Sequence, residues 1–288
     1  MNVYNDYYKN LTFYEISNGL KNICLNLRKF KNVPKTIDAR FLNYMLYTSG
    51  EFCYFHDKYI GDICLPFISD GNFDNYGNPI SWQAYSYYNN YHKKLTNNDS
   101  VIIYNNYVRT TLKSLVTVYA YRLYMIQLTH DINLKTQRTP FIIETDDKQK
   151  PSLERLFSQY DNFKETIFST KQLSKNSISV FNLNTNYLCS ELINLYKNTF
   201  NEFLVRVGID TAYHEKKERM TADEINANFS FASLQRASLI NPIKEGLEKV
   251  RSMFNCDIDV EFNDDVLTLT GVPKQNKQPI EKEVESNE

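Results

Sequence analysis

Glycine and proline are scarce in this chain, with eight of each in 288 residues. Left-handed backbone favours glycine, and proline punctuates helices and strands. So few of both argues against a turn-dense chain and for long regular elements. Cysteine is sparse too. Cys24, Cys53, Cys64, Cys189 and Cys256 are odd in number, widely scattered and without a CxxC pair. That argues against a disulfide framework or a cysteine zinc site and predicts reduced thiols in a cytosolic setting. No uninterrupted apolar run approaches a membrane span, and the first residues lack a signal-peptide layout, so a soluble, intracellular protein without a membrane partner is expected. An excess of one charge is also missing: 33 basic against 34 acidic residues give a net charge of -1. Tight binders of duplex DNA carry a basic excess, because phosphate neutralisation supplies much of their affinity. The balance here argues against a repressor or a histone-like protein.

Recognisable catalytic chemistry is absent as well. His214-Glu215-Lys216-Lys217-Glu218 begins like a zinc-protease helix, but Glu218 stands where the second histidine would have to face the metal. No GxxxxGK[ST], GxSxG or GxGxxG motif occurs. His56, His92, His130 and His214 read as surface or satisfied core residues. The Asp146-Asp147 pair, beside Lys148 and Lys150, reads as a polar hairpin tip rather than a magnesium site. No catalytic residue, metal or cofactor is expected.

What the chain does contain is a globular composition, 42% hydrophobic and 23% charged, with 22 Tyr and 18 Phe against a single Trp. That is enough to bury a real core. Residues 6–30 carry Tyr7, Leu11, Tyr14, Leu20, Ile23, Leu27 and Phe30 at three- and four-residue spacing, which predicts one or two short helices. Residues 36–104 alternate short strand-like pieces with Asp70-Gly71, Tyr76-Gly77-Asn78-Pro79 and Asn97-Asn98-Asp99 turns. The clearest long helix is expected over 107–134. Val108, Leu112, Leu115, Tyr119, Leu123 and Ile126 form its stripe, widened by Val116, Val118, Tyr121, Met125 and Leu128. It would be roughly 40 Å long, and a band this wide needs neighbours on more than one side. Phe141-Ile142-Ile143 and Ser177-Ile178-Ser179-Val180-Phe181 read as strands, with Pro151 to Phe157 starting a helix between them. A second long helix is predicted from about Tyr187 to Val207, capped by Gly208, with Glu191, Asn194, Asn198, Asn201 and Glu202 on its polar side. Then follow a charged loop, a helix over 234–254, an alternating strand from Asp257 to Phe262, and a polar tail expected to be disordered from Pro273.

The order of helix, abrupt stop, charged loop Glu215-Lys216-Lys217-Glu218-Arg219-Met220-Thr221-Ala222-Asp223-Glu224 and second amphipathic helix resembles the portal protein, or upper collar or head–tail connector, of small short-tailed phages of the phi-29 type. Further segments match that family in order and spacing, from about Leu11 to about Phe262. They are Asn32-Val33-Pro34-Lys35-Thr36-Ile37 with Phe41-Leu42, Val101-Ile102-Ile103-Tyr104-Asn105-Asn106, Thr139-Pro140-Phe141-Ile142-Ile143, and Ser177 to Phe181. The resemblance implies an α+β portal fold that assembles into a dodecameric ring. Its parts would be a mixed α/β wing over 1–104, a first stem helix over 105–138, a small β-rich, SH3-like clip over 139–186 and a second stem helix over 187–209. A channel loop over 210–233, a wide-end helix and strand over 234–272 and the tail over 273–288 complete it.

The same resemblance implies the function: the channel at one capsid vertex for genome packaging and ejection, joining head to tail. Expected partners are double-stranded DNA held without sequence preference, a packaging ATPase, scaffold and major capsid protein, and a lower collar or tail protein. The protein would reside at the portal vertex of the virion, assembled in the host cytoplasm. Lys216, Lys217 and Arg219 would form basic rings that touch passing DNA, weakened by Glu215, Glu218, Asp223 and Glu224 beside them. Lys148, Lys150 and Arg155 in the clip would dock the motor and later the tail. Glu191, Asn194, Asn198 and Asn201 would face the channel. Two family features are not carried over. The first ten residues hold one Lys and one Asp rather than a basic arm, and Asn182 and Glu191 stand where the family's channel lysines lie. The rival readings are a ring-forming collar or tail adaptor without the packaging channel, and a nucleic-acid-processing enzyme.

Overall fold

The structure is a computed structural model describing residues 3–137, 141–143, 178–180, 186–211 and 222–265. The chain divides into two compact units, one of Met1–Tyr124 with Asn198–Glu288, the other of Met125–Lys197.

The first unit begins with one continuous helix, α1 (Val3–Leu25), where the spacing allowed one or two. Strand β1 (Arg28–Lys31) follows. Helix α2 (Ala39–Thr48) starts where the Asp38 carboxylate accepts the Arg40 N–H at 2.9 Å, supplying a partner to an otherwise orphan donor. Six strands come next: β2 (Glu51–Asp57), β3 (Gly61–Leu65), β4 (Phe67–Ser69), β5 (Ser81–Tyr85), β6 (His92–Thr96) and β7 (Ser100–Tyr104). They form two antiparallel three-stranded sheets, ordered β3-β2-β7 and β4-β5-β6.

Strand β2 is buried on both faces. Its Phe52 and Tyr54 join a core with Leu42, Met45 and Leu46 of α2. Its Cys53 and Phe55 join a second core with Leu65, Trp82, Ala84 and Leu95. A strand buried on both faces reads as an apolar run. The turn after β2 is tied down by Asp57, which accepts the N–H groups of Tyr59 (2.9 Å) and Ile60 (3.3 Å), the Tyr91 hydroxyl (2.7 Å) and the Lys93 ammonium (3.3 Å). The Tyr59 N–H and then the Tyr91 hydroxyl hold its carboxyl far below the ordinary carboxylate range. A carboxyl with a depressed folded pKa stabilises above its unfolded value, and that contribution is lost as pH falls through the folded pKa. Asp57→Asn should therefore lower the thermal midpoint at neutral pH and shrink the loss between about pH 4 and about pH 2. Melting curves across that range check it; parallel curves for the two proteins would show that the network carries no pH-dependent stability.

Helix α3 (Lys113–Thr136) passes from the first unit into the second, and α4 (Cys189–Arg206) returns. The α3 start corrects the expected helix over 107–134: Asn105 to Leu112 is an irregular joint, and Val108 lies 78% exposed within it. Asn106 holds the joint open by accepting the Thr110 N–H at 3.1 Å and donating to the Thr110 carbonyl at 3.0 Å, while Arg109 sits at φ +58°. Local side-chain bonds of this kind compete with the helix.

The second long-helix reading stands, with α4 within one or two residues of its expected ends. Gly208 (φ +87°) terminates it: its N–H reaches the Val205 carbonyl at 3.0 Å and the Ile209 N–H reaches the Leu204 carbonyl at 2.8 Å. That is a Schellman cap. Helix α5 (Ala222–Phe254) corrects the next expectation, since residues 222–233 are helical rather than loop. Their Asp, Glu and Asn content hid them from apolar spacing. Further along, Ile240, Ile243, Leu247 and Val250 join Phe52 and Tyr54 of β2 and Val101 and Ile103 of β7 in the first core, and the helix continues through Pro242. Strand β10 (Asp259–Phe262) pairs antiparallel with β1, joining sequence-distant segments.

In the second unit, β8 (Phe141–Ile143) and β9 (Ile178–Val180) pair antiparallel, as the two strand-like runs suggested. The expected helix start at Pro151 lies outside the described residues.

Candidate functional site

Of the residues expected to act, Glu191, Asn194, Asn198 and Asn201 lie on α4. In the first unit, the Tyr119 and Phe203 rings lie 5.5 Å apart, and the Tyr119 hydroxyl donates to Glu202 Oε1 at 2.6 Å. Burial, and then the Glu202 acceptor, push the Tyr119 phenol above its usual pKa, so it stays a donor. Arg206 Nε lies 3.7 Å from the same carboxylate oxygen, and the Arg122 guanidinium lies 5.2 Å from the Tyr119 ring centroid. Leu123 on α3 and Leu204 on α4, with Val207 just beyond, are buried.

In the second unit, Asn133 supplies partners at the start of α4. Its Oδ1 accepts the Leu188 N–H at 3.0 Å and its Nδ2 donates to the Asn186 carbonyl at 2.9 Å. Helix starts expose N–H groups that need such acceptors.

Glu191, Asn194, Asn198 and Asn201 recur at three- and four-residue steps and so share one face of α4. The first three are exposed and Asn201 is half-buried. The opposite, apolar side is buried at Phe203 and Val207 but exposed at Leu188 and Leu195. On α3, Val118 (49%), Tyr121 (58%), Met125 (40%), Ile132 (51%) and Leu134 (52%) are likewise exposed.

The joint at the head of α3 is anchored from inside. Arg28 is buried, and its Nη2 donates to Asn105 Oδ1. Burial lowers its pKa to about 10 and raises that of the neighbouring Cys24 thiol to about 12. Asn105 also donates from its backbone to the Gly50 carbonyl (2.7 Å) and from Nδ2 to the Thr110 carbonyl (3.1 Å). Arg109, 4.3 Å over the Tyr104 ring, donates to the Gly77 carbonyl (3.2 Å) and to Asn78 Oδ1. Among the described residues no group of His, Cys, Asp and Glu is gathered as a metal site requires, and no helix is long and apolar enough to cross a membrane.

With this geometry in place, the comparison that decides the assignment is a match to the Phage Connector (GP10) family over residues 2–267. The chain belongs to the phage connector family. Its coarse role follows: a portal connector at the head–tail junction of a phage virion. Similar solved structures include the portal and tail of bacteriophage P68, at 15% identity over 92% of each chain and a TM-score of 0.45. An HK97-family portal protein from Corynebacterium diphtheriae is 10% identical over 90% of this chain and 95% of that one, with a TM-score of 0.45. The neck of an empty gene transfer agent particle gives 9% identity over 89% and 82% of the two chains, with a TM-score of 0.47. The family match, and not these distant likenesses, carries the assignment.

Of the residues expected to act in the connector, Lys216, Lys217 and Arg219, and likewise Lys148, Lys150 and Arg155, lie outside the described residues. So do His214 and the Asp146-Asp147 pair. Asn105 and Asn133 were not singled out. No local signal marks them, because Asn105 meets Arg28 across 77 residues and Asn133 meets Asn186 across 53.

Proposed function

We propose that the connector assembles as a dodecameric ring whose channel carries double-stranded DNA into the head during packaging and out during ejection. The exposed apolar residues of α3 carry this reading. Val118, Tyr121, Met125, Ile132 and Leu134 are left in water by a lone chain, and apolar surface of that kind marks an interaction site. Neighbouring copies would cover it, leaving Glu191, Asn194, Asn198 and Asn201 toward the channel. A polar lining whose one charged residue, Glu191, is acidic offers no hold on phosphates, which suits a duplex that slides rather than docks. The chain acts as a conduit and not as an enzyme: a packaging ATPase supplies the work, docking on the clip through Lys148, Lys150 and Arg155, and a lower collar or tail protein later takes its place there. Scaffold and major capsid protein meet the wide end. Native mass spectrometry or class-averaged electron microscopy of the purified protein tests the assembly. A closed ring with cyclic symmetry is expected; a stable monomer at micromolar concentration overturns it.

Lys216, Lys217 and Arg219 are proposed to brush DNA phosphates briefly, since acidic neighbours weaken each contact. Because α5 begins at Ala222, a loop deletion must stop short of it. Removing residues 212–220, or changing the three basic residues to Ala, should leave rings and empty heads normal. Particles carrying the deletion should package DNA and then lose it when the motor departs, the triple Ala change acting more weakly. Full genomes stably retained in the deletion particles would show that the segment is a linker only.

A further inference from the structure

Two features of the first unit complement each other. The first is the tip between β4 and β5. Asp74 accepts the N–H groups of Tyr76 and Asn78, both at 2.8 Å, and the Asn78 side-chain amide at 2.9 Å. The Ile80 N–H donates to the Asn72 carbonyl at 3.0 Å, Phe73 bridges Pro79, and Arg109 grips the tip at Gly77 and Asn78. This built tip presents Phe73 at 54% and Tyr76 at 88% exposure, with no ring contact among the described residues. Its own charged residues, Asp70 and Asp74, are both acidic; Arg109 offsets Asp74 and leaves Asp70 as the free exposed charge. The second feature is a groove of about 360 Å³ lined by Ser114, Leu115, Val118, Tyr119, Arg122 and Arg206. Leu115 and Val118 are apolar. Arg206 is shared with Glu202, whereas Arg122 has no carboxylate partner among the described residues.

We propose that the acidic, aromatic tip of one copy docks in the basic, apolar groove of the next. The proposal rests on the ring reading and names a contact that would build it. Charge complementarity favours a second copy as occupant, with Asp70 facing Arg122 and the Tyr76 ring covering Val118. Aromatic anchors in apolar pockets dominate interface energies, and a tip already ordered by Asp74 and Arg109 loses little freedom on docking. Tip and groove are different surfaces, so the contact is head-to-tail, the kind that closes into rings.

The test places Tyr76→Cys and Val118→Cys in one chain and adds a bismaleimide, which joins thiols by addition. A covalent ladder reaching the mass of the ring is expected on a denaturing gel for the double variant, and none for the single variants or the unsubstituted chain. A ring without the ladder overturns this contact and leaves the ring reading standing; no ring in the unsubstituted chain overturns both. A second arm uses charge. Arg122→Glu should raise the concentration for half-assembly by about tenfold or more, well beyond what the lost contact with the Tyr119 ring takes from the thermal midpoint of the unassembled chain. Adding Asp70→Lys should recover much of the loss. Purely additive effects of the two changes would argue that Asp70 and Arg122 never meet, and would overturn the pairing.

Discussion

An Asn105→Ala chain is expected to lose about 3–5 kcal/mol of stability, the cost of leaving a buried charge without a partner. Asn105 Oδ1 is the one acceptor of the Arg28 guanidinium among the described residues, and Arg28 is buried deeply enough that its pKa falls to about 10. The same side chain donates to the Thr110 carbonyl, so its loss also frees the joint before α3. A loss of this size is a large fraction of the stability of an ordinary domain. Urea unfolding of the purified protein measures it. Asn105→Asp keeps the acceptor for Arg28 and loses the donor to Thr110, so its cost should be smaller. Removing both partners as Arg28→Met with Asn105→Leu should cost less than Asn105→Ala alone, because no buried charge is then stranded. A cost below about 1 kcal/mol for Asn105→Ala would show that the guanidinium does not depend on it.

The second large effect is expected at Gly246. A Cβ there would stand 2.9 Å from Ile103 Cγ1 and 3.4 Å from Ile103 Cα. Ile103 is fully buried on β7, between the sheet and α5, so its backbone has nowhere to yield. Replacing Gly by Leu in a helix gains somewhat under about 1 kcal/mol of intrinsic propensity. Forcing a whole side chain into this contact should cost about 3 kcal/mol or more, at the upper end of overpacking penalties. Gly246→Leu should therefore be strongly destabilised, with Gly246→Ala in between. Thermal melts rank the three. The mechanism is checked by a double-mutant cycle: Gly246→Ala should cost less in an Ile103→Ala background, which removes the clashing Cγ1. Equal costs in both backgrounds would rule out the close approach as the cause.

What could be read without the structure is what lies within a few residues along the chain. The α4 stripe gave a helix within one or two residues of Cys189–Arg206, and Gly208 marked its end because a left-handed cap favours glycine. The paired strands β8 and β9 and the alternation of β10 were legible for the same reason. The collinear segments also carried the connector family.

Tertiary structure decided the rest. Helix α5 begins at Ala222, twelve residues before its stripe, since propagation adds a hydrogen bond per residue whatever the side chain faces. Helix α3 waits until Lys113 because Asn105 and Asn106 hold the preceding joint to Gly50, Arg28 and Thr110. Gly208 reads locally as a cap, yet Arg236 also packs against it, so that a Cβ would come within 2.8 Å of Arg236 Cγ. Sequence by itself determined the period and the ends of elements whose causes are local. Which face of β2 meets which core, which Asn holds a buried Arg, and which Gly a neighbouring helix presses on were decided only by packing, because those partners lie tens of residues away and the local pattern is the same with or without them.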